Sequence, residues 1–371
     1  MKKKFSKLLR WETMLLVLLI VLWIVFEARD NSLDAALIAK GRAPKDVFNI
    51  AKMLKGMGVY MLYSFMALGM ALILGMGDID ISVGASATLS AAVMGISYRA
   101  LIGGGTAPGT AFAIAVLACL VTGCLCGFLN GLLVTRFREL FPMIITLGTQ
   151  LLFRGFCYLF LGGDTLKFEG DATWGLLKNL YTGSVSLGEL KIPTIIFWFL
   201  GFALVFYVVL HLTTAGRKLF AIGENRTAAL YSGVRVDRFE LLMFVICGLM
   251  AAVSSLFYVG SASATVRADA MNGYEMYAIA VVVLGGFSTD GGKGNIIGVI
   301  LSVVIFGVMK KGLGTLFGFA DSTVNLAVGA VLIVASLLPN VLEDISNRMR
   351  IRRQHVKTAD EGPKVPETAK T

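Results

Sequence analysis

Residues 192–212 read IPTIIFWFLGFALVFYVVLHL, and residues 213–238 read TTAGRKLFAIGENRTAALYSGVRVDR. The first run, taken as a span over 192–211, is long and apolar enough to cross a bilayer as a helix. The second is the longest polar interruption in the second half of the chain. It carries Arg217, Lys218, Arg226, Arg235 and Arg238. Short loops rich in Lys and Arg stay in the cytoplasm, so this loop sets the side. Within it Asn225 suits an N-cap, Arg226 to Ser232 are helix-compatible, and Gly233 is a natural stop. A helix this short persists only if it packs on something. The residues alone leave two readings open: a snorkelling loop between spans, or a docking knob for a cytoplasmic partner.

The composition agrees with a membrane chain. Mean hydropathy is +0.77, 56% of residues are hydrophobic and only 16% are charged, against about 25% charged in a soluble domain. Long apolar stretches recur from end to end. The expected fold is therefore an all-α polytopic membrane protein, because the short alternating segments of a barrel are absent. The net charge of +10 suggests loops facing anionic membrane lipid, not nucleic acid. Cys119, Cys124, Cys126, Cys157 and Cys247 all fall in apolar stretches and read as small packing residues. With two histidines, His211 and His355, and no Cys cluster, no metal and no other cofactor is expected. The N-terminus, MKKKFSKLLR before the apolar run 14–26, resembles a signal peptide. It lacks a convincing cleavage site and reads as an uncleaved first span.

About ten spans are expected, near 12–28, 57–76, 80–98, 109–135, 142–161, 192–211, 239–259, 273–288, 295–315 and 322–340. An even number puts both termini on one side. With both inside, 20 of the 34 Lys and Arg face the cytoplasm, which supports the N-in, C-in arrangement. The charged segment 28–56 is the exception, and an amphipathic interfacial helix is expected there. Three regions follow: a basic cytoplasmic N-terminus (1–11), a transmembrane domain (12–340) with its cytoplasmic loop at 212–238, and a tail (341–371) that starts basic and ends disordered. The junctions GMGDID (75–80) and LGGFSTDGGKG (284–294) barely leave the membrane. Such glycine-broken segments predict discontinuous helices lining a cavity and would fit an inverted repeat. Gly123, Gly127 and Gly131, each four apart, predict a groove where another helix backbone comes close.

Few residues can carry chemistry. Residues 286–294 fail as a phosphate loop, because Gly292 intervenes before Lys293 and no Ser or Thr follows. The chain is expected not to be an enzyme, and any ATP hydrolysis belongs to a partner. Asp78, Asp80 and Ser82 stand at the entrance of the third span. They either face a cavity or simply cap the helix. Arg154 lies mid-span and needs an acceptor, a carboxylate or carbonyl oxygens. Two roles are open to it: a structural one, orienting Asp78 or Asp80, which is favoured, or lining a polar path with Gln150. Asn130, Asn272, Tyr274 and Glu275 complete the candidates. Aromatic rings with amides suit a hydroxylated solute, although Tyr274 equally suits an interfacial belt.

Four motifs in series carry a resemblance: DIDISVG (78–84); TLGT (146–149) with Arg154-Gly155; AGRKLFAIGEN (215–225) with AALYSGV (228–234); and AVVVLGG (280–286) with GGKG (291–294). Over roughly residues 45–340 the chain resembles the ribose/galactose/xylose permease family, the membrane subunits of bacterial ABC monosaccharide importers. The resemblance implies a multi-pass protein of the bacterial inner membrane. It implies two ABC ATPase subunits, a second permease copy or paralogue, and an extracytoplasmic sugar-binding protein as partners. It also implies that the 212–238 loop is a coupling loop, with Glu224, Asn225, Ala228, Ala229 and Gly233 at the ATPase. The Gly77-Asp78 pair departs from the commonest pattern, and relatives also carry nucleosides or a furanone-type signal. The competing class is a stand-alone ion-coupled transporter or channel. The scarcity of intramembrane acids beyond Asp78 and Asp80 speaks against it.

Overall fold

The structure is a computed structural model that describes residues 11–44, 48–167, 174–188, 190–261, 265–320, 322–330 and 333. It divides into two units, Met1–Val324 and Asn325–Thr371. Of the second, the described residues 325–330 and 333 are helical. The expected basic N-terminus up to residue 10, residues 331–332 and 334–340 of the expected tenth span, and the whole tail lie outside the described residues.

Helices dominate. Seven among the described residues are long and apolar enough to span a bilayer: α1 (Trp11–Ile38), α4 (Val83–Gly103), α5 (Pro108–Arg136), α6 (Pro142–Leu161), α8 (Thr194–Tyr207) with its π-helical extension Val208–Leu212, α11 (Val236–Gly260) and α13 (Ile296–Leu316). An eighth is broken. Helices α2 (Ile50–Tyr60) and α3 (Leu62–Gly75) bend sharply where they meet. Helix α12 (Tyr274–Leu284) is a shorter apolar helix of 11 residues, where about 20 would span. Helix α12 ends at the 284–294 glycine junction and α3 ends at the 75–80 one, as discontinuous helices do, whereas the α2–α3 bend falls at Met61, where the sequence marks no junction. The remaining elements are short: α7 (Trp174–Thr182), α9 (Thr214–Glu224), α10 (Arg226–Tyr231) and two antiparallel ribbons. Strand β1 (Leu166–Lys167) pairs with β4 (Thr265–Val266), and β2 (Ser184–Leu187) with β3 (Leu190–Pro193).

Local chemistry explains the boundaries. Pro108 and Pro142 open α5 and α6 at the position where a missing N–H costs nothing. Gly162, in the left-handed region, ends α6. The core is centred on α3, in which every residue from Leu62 to Gly75 is buried. A helix that is apolar all round belongs inside. Against it pack α8, α11 and α12. Helices α5 and α11 meet backbone to backbone. Any Cβ at Gly123 or Gly127 would overlap the carbonyl oxygens of Gly248 or Phe244. The four-residue glycine spacing thus has the role expected of it.

The segment 28–56 corrects an expectation. It is not one interfacial helix. Its first part continues α1 to Ile38, and Asp30 is buried there, accepting the Phe48 amide at 2.8 Å. Phe48 then packs with Phe26, Met53, Val308 and Leu316. Arg29, Lys40, Arg42, Lys52 and Lys55 are exposed while Phe48 and Met53 reach the core, and that burial is what an isolated surface helix would forgo.

Candidate functional site

The glycine-broken junction after α3 is the centre of the site. Gly77 turns the chain with φ +85°, a conformation suited to glycine. The second glycine junction comes back to meet it: the Gly292 amide donates to the Gly75 carbonyl at 3.0 Å. The end of α9 closes the triangle, since a Cβ on Gly223 would overlap both the Gly292 nitrogen and the Gly75 oxygen. Three segments far apart in sequence, 75–80, 223–224 and 291–292, therefore touch without intervening side chains.

The break delivers Asp78 and Asp80 to two different environments. Asp80 is buried and accepts from the Ser82 amide at 2.9 Å and the Ser82 hydroxyl at 2.7 Å. Asn130 of α5 donates to the Ser82 hydroxyl at 2.6 Å and to the Asp80 carboxylate at 3.3 Å. Ser82 occupies the N-cap position of α4 without a side-chain cap bond, so the capping alternative for it is not what the structure shows.

Asp78 lies outside the helical segments and faces Glu240, the fifth residue of α11. Glu240 is fully buried. Its Oε2 binds Arg138 Nη1 at 2.7 Å and also pairs with Arg226 of α10, while Arg138 pairs with Asp237. Glu240 Oε1 and Asp78 Oδ2 are buried without a hydrogen-bond partner among the described residues. Burial first, and then the Glu240 carboxylate, push the Asp78 carboxyl up to about 8, with Arg138 opposing.

A polar stripe leads away from the break along α6. Thr146 accepts from the Ile81 amide and donates to the Ile79 carbonyl, both at 3.2 Å. Gln150, one turn on, donates to Glu275 at 3.3 Å. Arg154, a further turn on, donates to the carbonyls of Ala268 at 2.8 Å and Ala270 at 2.7 Å and to the Thr88 hydroxyl at 3.1 Å. Arg154 therefore takes carbonyl acceptors. The expected orientation of Asp78 or Asp80 by Arg154 is not found, because the loop before α12 supplies its partners instead. Tyr274 packs edge-on against Tyr63 and Tyr258, each at 6.4 Å. Asn272 is exposed and joins none of these groups among the described contacts.

The 212–238 loop is two helices joined at Asn225. The Asn225 side chain caps α10 by accepting from the Ala228 amide at 2.9 Å, and Gly233 ends the motif with φ +84°. Glu224, Ala228 and Gly233 are exposed. Ala229 is not. It is 4% exposed, buried by its own chain, so its small size seats α10 on the permease. Outward face Leu230 and Tyr231, the latter 86% exposed.

Sequence reading missed Glu240, Arg138, Thr88 and the rings of Tyr63 and Tyr277. Tyr277 lies under Lys310, 3.7 Å from its centroid. One signal was available for Glu240: a carboxylate just inside an apolar span, when such charges need partners.

A family model for the permease component of branched-chain amino acid transport systems matches residues 52–336. The chain belongs to that permease family. Among similar proteins is the autoinducer 2 import system permease protein LsrD of Escherichia coli, 32% identical over 302 residues, or 80% of this chain and 86% of its relative. The Shigella flexneri protein of the same name matches to the same extent, and another Escherichia coli form is 34% identical over 272 residues. No solved structure matches. The resemblance to permease subunits of bacterial ABC monosaccharide importers is thereby upheld, and the chain is a multi-pass transmembrane permease of an ABC-type importer.

Proposed function

We propose that this permease imports a monosaccharide or similarly small hydroxylated solute by alternating access, powered by a separate ABC ATPase. The observation that carries this reading is helix α10: capped by Asn225, seated through buried Ala229, and presenting Ala228, Leu230 and Tyr231 outward. A short helix with an aromatic exposed at its end suits a protein groove better than a lipid surface. In this reading Glu224, Asn225, Ala228 and Gly233 form the coupling surface, and Ala229 holds it in place. The path runs from Asp78, Asp80, Ser82 and Asn130 along Gln150 and Arg154 to Glu275 and Tyr274. Asn272 marks the mouth. Hydroxyl, amide and ring groups along such a path suit hydroxylated solutes.

The wider assembly is two permease copies or paralogues, two ATPases and an extracytoplasmic binding protein, in the bacterial inner membrane. Ten spans with both termini in the cytoplasm, regions at 1–11, 12–340 and 341–371, and the coupling loop at 212–238 complete it. The relatives named above are autoinducer 2 import permeases, which favours a second reading in which the solute is a furanone-type signal.

The test is affinity purification of the tagged chain from native membranes. A stoichiometric ABC ATPase in the eluate is the expected result. A chain that comes out alone, in cells whose uptake survives ATP depletion, overturns the reading in favour of an ion-coupled transporter.

A further inference from the structure

The coupling loop is joined to the break after α3 in two independent ways. One is backbone contact, in which Gly223 sits against Gly75 and Gly292. The other is ionic. Arg226 lies on α10, and its partner Glu240 lies on α11, fully buried. Arg138, from the α5–α6 connection, binds the same Glu240 oxygen at 2.7 Å. Asp78 of the break lies beside Glu240 and interacts with it, and Glu240 Oε1 and Asp78 Oδ2 are both buried.

This is an expensive arrangement for mere stability. A buried carboxylate with two guanidinium partners rarely outperforms apolar packing, whereas removing one partner is strongly destabilising. Its value lies in specifying a position. Apolar contacts let a helix slide, but a carboxylate shared by two arginines has few equivalent arrangements.

We propose that Arg226 and Arg138 form an ionic latch around the buried Glu240 carboxylate that makes displacement of α10 felt at Asp78, so that Glu240 is a positioning residue for energy coupling. The latch rests on the importer reading for its purpose but not for its existence. A pull on α10 moves Arg226. Glu240 then turns toward Arg138, and its second oxygen changes its approach to Asp78. Asp78 is two residues from Asp80, whose bonds to Ser82 and Asn130 fix the entrance of α4. The break, having no helical hydrogen-bond ladder of its own between Gly75 and Val83, is the compliant element that takes up the motion.

Two measurements decide it. The first is thermal melting of the detergent-purified full chain carrying R226Q, E240Q or both. The double variant is expected to lose no more than E240Q alone, because E240Q already removes the pairing with Arg226 along with that to Arg138. Strictly additive losses overturn the latch. The second uses proteoliposomes of the permease with its co-purified ATPase. Maleimide labelling of Ile79→Cys is read by peptide mass, with and without ATP and vanadate. The expected ATP-dependent change at residue 79 shrinks roughly fivefold or more in E240Q and R226Q, while the ATPase stays bound, and R226K restores most of it. An unchanged response in E240Q and R226Q overturns the proposal. So does loss of the ATPase in E240Q, which would make the cluster a docking element. If E240Q does not fold, R226Q and R226K carry the comparison. A wild-type chain that brings no ATPase defeats the importer reading instead, and the melting experiment still decides the latch.

Discussion

The backbone of Gly127 in α5 lies directly against the carbonyl of Phe244 in α11, leaving no room between them for a Cβ. In a bilayer the apolar effect does not drive helices together, so such contact between backbones is what holds the pair. Gly127→Leu is expected to destabilise the chain by about 1–3 kcal/mol or more through overpacking. The check is the melting temperature in detergent. An unchanged value would mean that α5 and α11 do not meet at this point.

Ala229 and Tyr231 are two residues apart on α10 and face opposite ways, one 4% and the other 86% exposed. The expected outcomes separate accordingly. Ala229→Trp forces a large ring into the seat of α10 and lowers the melting temperature. Tyr231→Ala leaves melting unchanged and weakens ATPase association about tenfold or more, as loss of an interface tyrosine does. Equal effects of both on melting would show that Tyr231 is not a contact surface.

How far this was legible in the sequence depended on whether a signal is local. Asn225 as cap, Gly233 as stop and the glycine ladder of α5 are local patterns, and the structure has all three. The polar stripe along α6 was half legible. Thr146, Gln150 and Arg154 share a face at four-residue spacing, but their partners Ile79, Glu275 and Ala268 come from other elements. The inward direction of Ala229 was not legible, since six residues of helix carry too short a pattern to choose a face. Nor was Glu240 as the anchor of Arg226 and Arg138, since ion pairs across 14 and about 100 residues leave no periodic trace.

Asp78 gives a pH dependence whose sign can be worked out. Its carboxyl is raised from the ordinary 3.8 to about 8 by burial and by Glu240, against the opposing charge of Arg138. A raised folded-state pKa means that the folded chain holds the proton more tightly than the unfolded chain does. The stabilisation is fully present below about pH 4 and is lost as pH rises toward 8. Between pH 5 and 8 the wild type is expected to melt at falling temperatures, with a shallower slope in Asp78→Asn. Identical slopes would show that Asp78 is already ionised in the fold.

Arg154 donates to two carbonyls and a threonine hydroxyl, Ala268, Ala270 and Thr88, none of which is a partner of Asp80. Truncating it removes the donor of the buried Ala268 carbonyl, while Ala270 keeps the Thr88 hydroxyl, at a cost of about 1–3 kcal/mol. Arg154→Gln should therefore lower stability. Because the two residues share no partner, the double variant Asp80→Asn with Arg154→Gln should lose the sum of the single losses, within about 0.5 kcal/mol. Denaturation of the four proteins in one detergent gives the comparison. A double variant more stable than that sum would place the guanidinium on Asp80 after all, and the stripe along α6 would then end at the break instead of leading away from it.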